Sequence, residues 1–352
     1  MSGIFQNGIW TCGFDMKPTA AQIFTFTSSG NSNGSAVTTN TPYGFGYSWT
    51  INNQPTWIIL NTTLTTIYVG AFMYFTAFSS STNYLFSFGD TSANPAYQAQ
   101  LAVTTSGALQ FYRGQLSSTI GSPSPAGTIT TGAWYYIEAR VTIGTSTGEV
   151  QCNVNGVPVI SLTTGLATNP TGTGYTNLFG FNSVSATNTF IDDWYMLDST
   201  GSSPLNTFLG PVQCRGQVPN NNSAVGGRNA WTPTNPTNIN YTNVGNIPIS
   251  ASEYNADSTV GDYDMFRFTT LPATTVFAVN EWVVVGLDSA GTRTVSLDCY
   301  SAGTDNLGTA FNPSTIGSPT YYNLMSVVDP NTGVAWTVSG AQAAELGLKV
   351  IS

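Results

Sequence analysis

Apolar residues recur at every second position along most of this chain. The segment Trp134–Ile143 follows this period, and its two faces would carry Ile137, Ala139, Val141 and Ile143 on one side and Tyr136, Glu138, Arg140 and Thr142 on the other. This period predicts a strand with one buried face. Glu149–Val154 alternates in the same way, and Asn155-Gly156 then separates it from Val157–Leu162. Both turn residues tolerate positive φ, so these two runs predict a β-hairpin.

Further strands are predicted at intervals of roughly ten residues. In Thr66–Phe78 both alternating faces are apolar, which favours a central strand covered on each side. The other predicted strands are Tyr84–Phe88, Gln100–Val103, Leu109–Tyr112, Phe190–Leu197, Leu209–Cys214, Asp264–Phe268, Val276–Leu287, Thr292–Tyr300, Tyr321–Val328 and Leu346–Ile351, with a turn at Asp288–Gly291. The predicted class is all-β, with two β-sandwich (jelly-roll-like) domains.

A change in amino-acid composition marks the predicted domain junction. Ser199–Ile249 is rich in Pro, Asn, Gly and Thr, and its prolines oppose a regular central strand. We therefore predict domains at 1–203 and 204–352, the second beginning with a long loop over about 215–250. At most one short helix is expected, near the C-terminus, capped by Ser339 with Gln342 three residues later and ended by Gly347. The polar stretch Ser28–Asn40 fits a flexible linker or an exposed loop equally well.

Composition excludes several function classes. Charged residues make up only 7% of the 352 residues, and 17 acidic residues outnumber eight scattered basic ones, so nucleic-acid binding is not expected. Histidine is absent, which removes His-dependent nucleophiles and His-containing metal sites. The four cysteines are widely spaced; three disulfide pairings are conceivable, but small buried strand residues are expected, with Cys152 and Cys299 facing inward.

Targeting signals are also not evident in the sequence. The start, MSGIFQNGIW, has no basic region and no long apolar run, so no signal peptide is predicted. The most apolar stretch, Ile67–Phe78, is too short to span a bilayer, so membrane insertion is not expected. The expectation is a chain made in the bacterial cytoplasm whose neutral polar surface suits exposure outside the cell.

Two resemblances to known families rest on specific residues of the chain. The first half resembles concanavalin-A-like and laminin-G-like sandwiches, through Tyr84–Asp90, Trp134–Glu138, Val150–Gly156 and Ile191–Tyr195. The second half resembles a family of phage and prophage structural proteins, through Trp231–Thr234, Thr259–Asp262, Asp288–Arg293, Asp329–Thr337 and Glu345–Ile351. Relatives often carry basic residues just before the Asp-Ser-Ala-Gly turn, where this chain has Val283–Leu287. The resemblance implies a virion component, and a location in the virion.

The acidic residues suggest two kinds of chemistry. Asp90, Asp192 and Asp193 are candidate calcium ligands, because laminin-G-like domains often hold that ion through loop carboxylates; turn or capping roles are the alternative. A glycosidase needs two converging acids, whereas the face of Glu138 continues with Arg140 and Thr142. Glu138 and Arg140 are therefore expected on a solvated sheet surface, and no enzyme activity is predicted.

Aromatic residues make up 12% of the chain, many beside polar turns. Trp49, Trp57, Tyr112 and Trp194 are candidate contacts for a glycan or a partner. Other aromatic residues beside polar turns are Tyr43, Phe45, Tyr47 and Tyr195, and most of the whole set is expected in cores or subunit contacts. The leading expectation is a virion structural protein, either a capsid decoration, a head fibre or a tail-associated protein. It would self-associate, as a trimer by analogy with phage fibres, and attach to other virion proteins. The alternative is a host-recognition module that binds surface glycans.

Overall fold

The chain divides into two compact units, Met1–Cys214 and Arg215–Ser352, which we call unit 1 and unit 2. The computed structural model describes residues 9–12, 36–38, 40–42, 48–51, 56–78, 82–92, 96–170, 172–181, 189–246, 250, 252–270, 272–287, 292–313 and 320–352. In these ranges nearly all regular structure is strand, with two short helices. The all-β prediction is confirmed.

Unit 1 contains fourteen strands in its described ranges. They are β1 (Ile9–Cys12), β2 (Ala36–Thr38), β3 (Ser48–Ile51), β4 (Thr56–Leu64), β5 (Thr66–Phe75), β6 (Asn83–Asp90), β7 (Ala96–Val103), β8 (Leu109–Arg113), β9 (Ser118–Ile120), β10 (Trp134–Thr142), β11 (Gly148–Val154), β12 (Val157–Leu166), β13 (Thr176–Phe181) and β14 (Thr189–Asp198). Of the predicted segments, Ser28–Asn40 lies outside the described residues except for β2 and Asn40, and Tyr43, Phe45 and Tyr47 lie outside them entirely.

Two antiparallel sheets form the sandwich of unit 1. The eight-stranded sheet has the order β12-β11-β10-β5-β14-β3-β2, with β1 also paired to β14, and the six-stranded sheet has the order β4-β13-β6-β7-β8-β9. The predicted hairpin is confirmed, because β11 pairs with β12 through Asn155 (φ 50°) and Gly156 (φ 78°). The inward residues of β10 also match the prediction, since Ile137, Ala139 and Val141 are fully buried.

Facing side chains of the two sheets make one continuous core. β5 contributes alternate residues from Ile67 to Phe75, and the six-stranded sheet contributes Phe86, Phe88 and Phe179. Aromatic rings pack here edge-on or tilted, as in the pair Phe86 and Phe181, whose centroids are 5.9 Å apart, and such geometry suits their quadrupoles. β5 is central, paired with β10 on one side and β14 on the other, as predicted.

Unit 2 is smaller and has eight strands and both helices in its described ranges. They are β15 (Asn221–Asn222), β16 (Thr232–Pro233), α1 (Asn240–Val244), β17 (Asn255–Ala256), β18 (Tyr263–Arg267), β19 (Val279–Val285), β20 (Val295–Tyr300), β21 (Thr320–Ser326), α2 (Val338–Ala343) and β22 (Glu345–Val350). A four-stranded sheet, β15-β18-β22-β20, accompanies two strand pairs, β16-β17 and β19-β21. Leu297, Cys299, Leu324 and Trp336 centre its core.

Three details of the prediction need correction. A second short helix, α1, forms inside the segment expected to be a loop. The C-terminal helix is present, but Thr337 caps it by accepting a hydrogen bond from Gly340 N. It ends at Ala343, with Ala344 as its C-cap, rather than at Gly347. Leu209–Cys214 is not a strand, because its amides bond to side chains, as described below. The turn predicted at Asp288–Gly291 lies outside the described residues.

The Asn-rich start of unit 2 is organised around a buried carboxylate. Asp264 on β18 accepts hydrogen bonds from the side-chain amides of Asn229 (3.2 Å), Asn240 (2.8 Å) and Asn255 (2.7 Å). Burial raises the pKa of Asp264 to about 6, although the three amides oppose the shift. Side-chain hydrogen bonds thus order a segment that hydrophobic periodicity could only describe as a loop.

Two further findings concern cysteines and membranes. Cys152 and Cys299 are buried free thiols, as predicted, and Cys214 is a half-buried free thiol. No helix in the described ranges is long and apolar enough to cross a membrane.

Candidate functional site

The eight-stranded sheet carries a concentration of aromatic side chains on the side turned away from the core, here called the outer face. Strand pairing places Trp134, Tyr74 and Phe190 in one row across β10, β5 and β14. The next row contains Tyr136 and Phe72. A sheet face that meets water usually alternates to polar residues, so this concentration of rings requires an explanation.

Four of these rings remain half-buried and form what we call the ring strip: Phe72, Tyr74, Trp134 and Phe190. The centroid of the Tyr74 ring lies 5.6 Å from those of both Trp134 and Phe190, and the centroid of Phe72 lies 6.5 Å from that of Trp134. Mutual edge-on and tilted packing fixes the rings in place. The ring strip is therefore a rigid apolar surface with partial access to solvent.

The middle of the outer face is covered by the segment 208–214, here called the strap. Its backbone amides bond to side chains of the sheet: Leu209 N to the Tyr195 hydroxyl (3.1 Å), Gly210 N to Glu138 Oε1 (2.9 Å) and Cys214 N to Asp193 Oδ1 (2.8 Å). The Phe208 ring also packs edge-on against Tyr68, with centroids 5.4 Å apart. The strap is thus held by side-chain acceptors rather than by strand pairing.

Glu138 lies beneath the strap and is fully buried, so its expected place on a solvated surface is wrong. Its Oε1 accepts hydrogen bonds from the Tyr195 hydroxyl (2.6 Å) and Gly210 N. Burial raises the pKa of Glu138 above its ordinary value, and the polar groups of Tyr195, Gly210 and Asn153 only partly offset that rise. The sequence could not reveal this environment, because the strap lies about 70 residues further along the chain.

Gly70 on β5 makes the arrangement possible. It lies between Glu138 and Tyr195 in the register of β10, β5 and β14. A Cβ at Gly70 would lie only 2.4 Å from Cε1 of Tyr195. The missing side chain therefore lets the Tyr195 ring lie across β5 and reach the carboxyl group of Glu138.

Arg140 lies on the same face further along β10, on the side of Glu138 away from the ring strip. Its guanidinium forms an ion pair with Glu149 of β11 and lies 5.6 Å from the ring centroid of Tyr68. Its charge is therefore already matched within the sheet. Because the pair is partly exposed, its contribution to stability is small.

The aromatic residues predicted as contacts lie mostly elsewhere. Trp49 and Trp194 belong to the core of unit 1, because each falls on an inward position of its strand, so their prediction as exposed contacts is wrong. Trp57 is also buried, with its ring centroid 5.2 Å from that of Tyr97. Tyr112 is half-buried on β8 of the six-stranded sheet, away from the ring strip. The alternation Phe72-Met73-Tyr74 was the available signal for the ring strip.

The three predicted calcium ligands are not brought together. Asp90 ends β6 of the six-stranded sheet, whereas Asp192 and Asp193 lie on β14 of the eight-stranded sheet. Each carboxylate accepts a backbone amide: Asp90 that of Ser92, Asp192 that of Asp193, and Asp193 that of Cys214. In the described part of the chain no three His, Cys, Asp or Glu side chains gather for a metal ion. These residues therefore have turn-forming or anchoring roles.

Asp90 illustrates such an anchoring role, because several donors bond to its carboxylate. It is fully buried and accepts hydrogen bonds from Ser92 N (2.7 Å), the Thr173 hydroxyl (2.6 Å) and the Gln98 amide. Burial by itself would raise the pKa of Asp90, but the hydrogen bonds from Ser92, Thr173 and Gln98 outweigh it and lower the pKa. Asp90 thereby joins the end of β6 to the loop before β13.

No family model and no curated protein matches the chain. Among solved structures it resembles Cellulose induced protein, Cip1 (18% identity, TM-score 0.37), over 50% of this chain and 87% of that one. It also resembles domain 4 of AbnA, a GH43 extracellular arabinanase from Geobacillus stearothermophilus in complex with arabinotriose (14%, 0.36; 55% and 91%). Trypanosoma rangeli sialidase is a further match (14%, 0.31; 43% and 25%), so the chain spans a quarter of that enzyme. None of the three is described as a phage protein.

Proposed function

We propose that unit 1 is a glycan-binding module and that the ring strip is its contact surface. The observation that carries the proposal is the row of half-buried rings formed by Trp134, Tyr74 and Phe190. Sugar rings present apolar C–H faces, which stack on aromatic side chains, and rigid aromatic anchors lose little entropy on binding. The ring strip supplies several such anchors side by side.

The electrostatics of the outer face favour a neutral saccharide. Arg140 is ion-paired with Glu149, so it offers no unmatched positive charge to a sialic or uronic acid. Glu138 lies beneath the strap with a raised pKa. The chain also carries a formal net charge of −9, which disfavours polyanions in general. A neutral polysaccharide of the host cell surface is therefore the proposed ligand class.

A binding titration with purified host polysaccharide and neutral oligosaccharides tests this proposal. Tyr74→Ala and Trp134→Ala should each weaken binding about tenfold or more, since loss of one stacking anchor costs roughly 1–2 kcal/mol. Tyr112→Ala is the matched control, because Tyr112 is also a half-buried aromatic residue but lies on the other sheet. Equal effects of all three variants, or no binding by the unaltered chain, would refute the proposal.

We further propose that the chain is a virion component that attaches to other virion proteins through unit 2. Unit 2 exposes several large apolar side chains, among them Val260 (61%), Val334 (61%), Ile239 (53%) and Trp282 (40%). Burial of such side chains against a partner protein would be favourable. The resemblance of this half to phage structural proteins supports the same role, and under this proposal unit 1 is displayed outwards.

Binding of the full chain to assembled, decoration-free particles tests this second role. Val260→Asp and Val334→Asp should weaken attachment, whereas Val157→Asp in unit 1, with the same exposure of 61%, should not. Light scattering after size-exclusion chromatography tests the expected trimer. Failure to bind particles while adsorbing to host cells would leave only the glycan-binding role.

A further inference from the structure

The strap covers an unusual pair of buried oxygen atoms. Glu138 Oε2 and Asn153 Oδ1 are both buried without a hydrogen-bond partner. Their residues lie directly opposite each other in the pairing of β10 and β11, on the outer face. Buried acceptors without a donor on two directly paired residues are costly in a protein interior. One proton on Glu138 would satisfy both, because Oε2–H could then donate to Asn153 Oδ1.

We infer that Glu138 is a neutral carboxylic acid in the closed structure and that its proton holds the strap over the outer face. In this form Oε1 still accepts from Tyr195 and Gly210, while Oε2 donates to Asn153. Ionisation would place an unpaired charge beneath the strap. Because Gly210 of the strap bonds directly to this carboxyl group, opening the strap is the available route by which the charge reaches water.

Burial is the largest influence on the pKa of Glu138 and favours the neutral acid, whereas the polar groups of Tyr195, Gly210 and Asn153 oppose it. Arg140, two residues along β10, is paired with Glu149. Asp193 on β14 already binds the strap through Cys214 N, and Tyr68 on β5 packs against Phe208. The phenols of Tyr136 and Tyr195 remain protonated, because burial raises the pKa of each well above its ordinary value.

The buried thiol next to Glu138 on β11 does not titrate with it either. Burial, followed by the nearby carboxyl group of Glu138, raises the pKa of Cys152 on β11. Cys214, at the end of the strap, contacts the carbonyl oxygen of Trp194 through its thiol. Glu138 is therefore a carboxyl group bonded to the strap that gains its charge as the pH rises through its raised pKa.

The direction of the pH effect follows from linkage. Glu138 binds its proton more tightly when the strap is closed than when the strap is open and the carboxyl group meets water. Low pH therefore favours the closed strap. As the pH rises from the ordinary glutamate pKa through the raised one, the open form becomes progressively more populated. Opening uncovers Tyr136 and Tyr195, which would extend the ring strip; this last consequence rests on the proposed glycan-binding function.

Hydrogen exchange of the strap tests the inference without any ligand. The exchange rates of peptides that cover 208–214 are measured in the unaltered full chain and divided by the intrinsic exchange rates. The opening equilibrium constant of the strap obtained in this way should increase at least tenfold between about pH 5 and pH 9. Glu138→Gln mimics the neutral acid, since its amide can donate to Asn153 Oδ1 while its oxygen accepts from Gly210 and Tyr195. This variant should keep the strap protected at every pH.

A matched control is Asp198→Asn, which removes a carboxylate at the end of β14 whose hydrogen bonds come from Thr200 rather than from the strap; this variant should behave as the unaltered chain does. Glu138→Ala should open the strap at all pH values. Strap exchange that does not change with pH would overturn the inference, and it is the result expected if the Asn153 amide were turned to donate to an ionised Glu138. A Glu138→Gln strap as open as that of Glu138→Ala would overturn it as well. Loss of glycan binding alone would refute only the proposed function, because the exchange measurement contains no glycan.

Discussion

Replacing Gly70 by alanine is the most direct test of how the outer face is built. A Cβ at this position would lie 2.4 Å from Cε1 of Tyr195 and 3.0 Å from Cε1 of Tyr136, whereas carbon atoms in contact are normally about 3.5–4.0 Å apart. The Tyr195 ring would therefore have to move by about 1 Å. That movement strains its hydrogen bonds to Glu138 (2.6 Å) and to Leu209 (3.1 Å).

The expected change in the free energy of unfolding is the sum of three contributions. Overpacking costs about 1–3 kcal/mol, and two weakened hydrogen bonds cost about 1 kcal/mol each. Reduced freedom of the unfolded chain returns about 0.4–1 kcal/mol. Gly70→Ala should thus lower the free energy of unfolding of unit 1 by about 2–5 kcal/mol.

Urea unfolding followed by hydrogen exchange of unit 1 peptides separates this effect from the unfolding of unit 2. Gly174→Ala serves as the control, because a Cβ added at Gly174 would meet no atom within 4 Å beyond its chain neighbours, and Gly174 has no positive φ. Its unfolding free energy should stay within about 0.5 kcal/mol of that of the unaltered chain. If Gly70→Ala were as stable as Gly174→Ala, the account of Tyr195 lying across β5 would be refuted.

Three further predictions concern the β11–β12 turn and unit 2. Gly156→Val places a β-branched residue at φ 78° and should lower stability by about 1–2 kcal/mol, measured as a fall in the melting temperature of unit 1. Asp264→Ala leaves the amides of Asn229, Asn240 and Asn255 without their acceptor and should destabilise unit 2 by about 3–5 kcal/mol in urea. Burial raises the pKa of Asp264 from 3.8 to about 6, so the folded form holds this proton more tightly than the unfolded form. The stability that the bound proton contributes is complete below about pH 4. It declines by about 3 kcal/mol as the pH rises to about 6. That decline should be absent from Asp264→Asn, and an equal pH dependence in both proteins would contradict the assignment.

Strands that depend on local alternation could be predicted from the sequence. The hairpin of β11 and β12 is an example, because Asn155-Gly156 forms its turn and Val150, Cys152 and Val154 take the inward positions. Its register follows from the turn only at the first two pairs, since the pairing shifts further along β11. Burial of Cys299 followed from the same rule. In each case the information lies within about ten residues, where side-chain direction is fixed by the period of two.

The outer face could not be predicted, because its chemistry depends on residues far apart in the chain. Judged by their polar neighbours in sequence, Trp49 and Trp194 were equivalent to Trp134, but strand register places the first two in the core. Similarly, nothing near Glu138 in sequence indicated that another segment covers it. The apolar character of both faces of β5 did indicate that something lies over the sheet, although not that the strap supplies it.

The outer face therefore combines a rigid part, the ring strip, with a part that can open, the strap. Its ring strip is rigid because strand pairing and ring packing hold it, while the adjoining strap is held by a few side-chain hydrogen bonds without strand pairing. Local opening begins where few backbone hydrogen bonds and few apolar contacts must be lost. The strap meets that condition and the strands beneath it do not, so the outer face can change in extent while the sandwich that supports it remains folded.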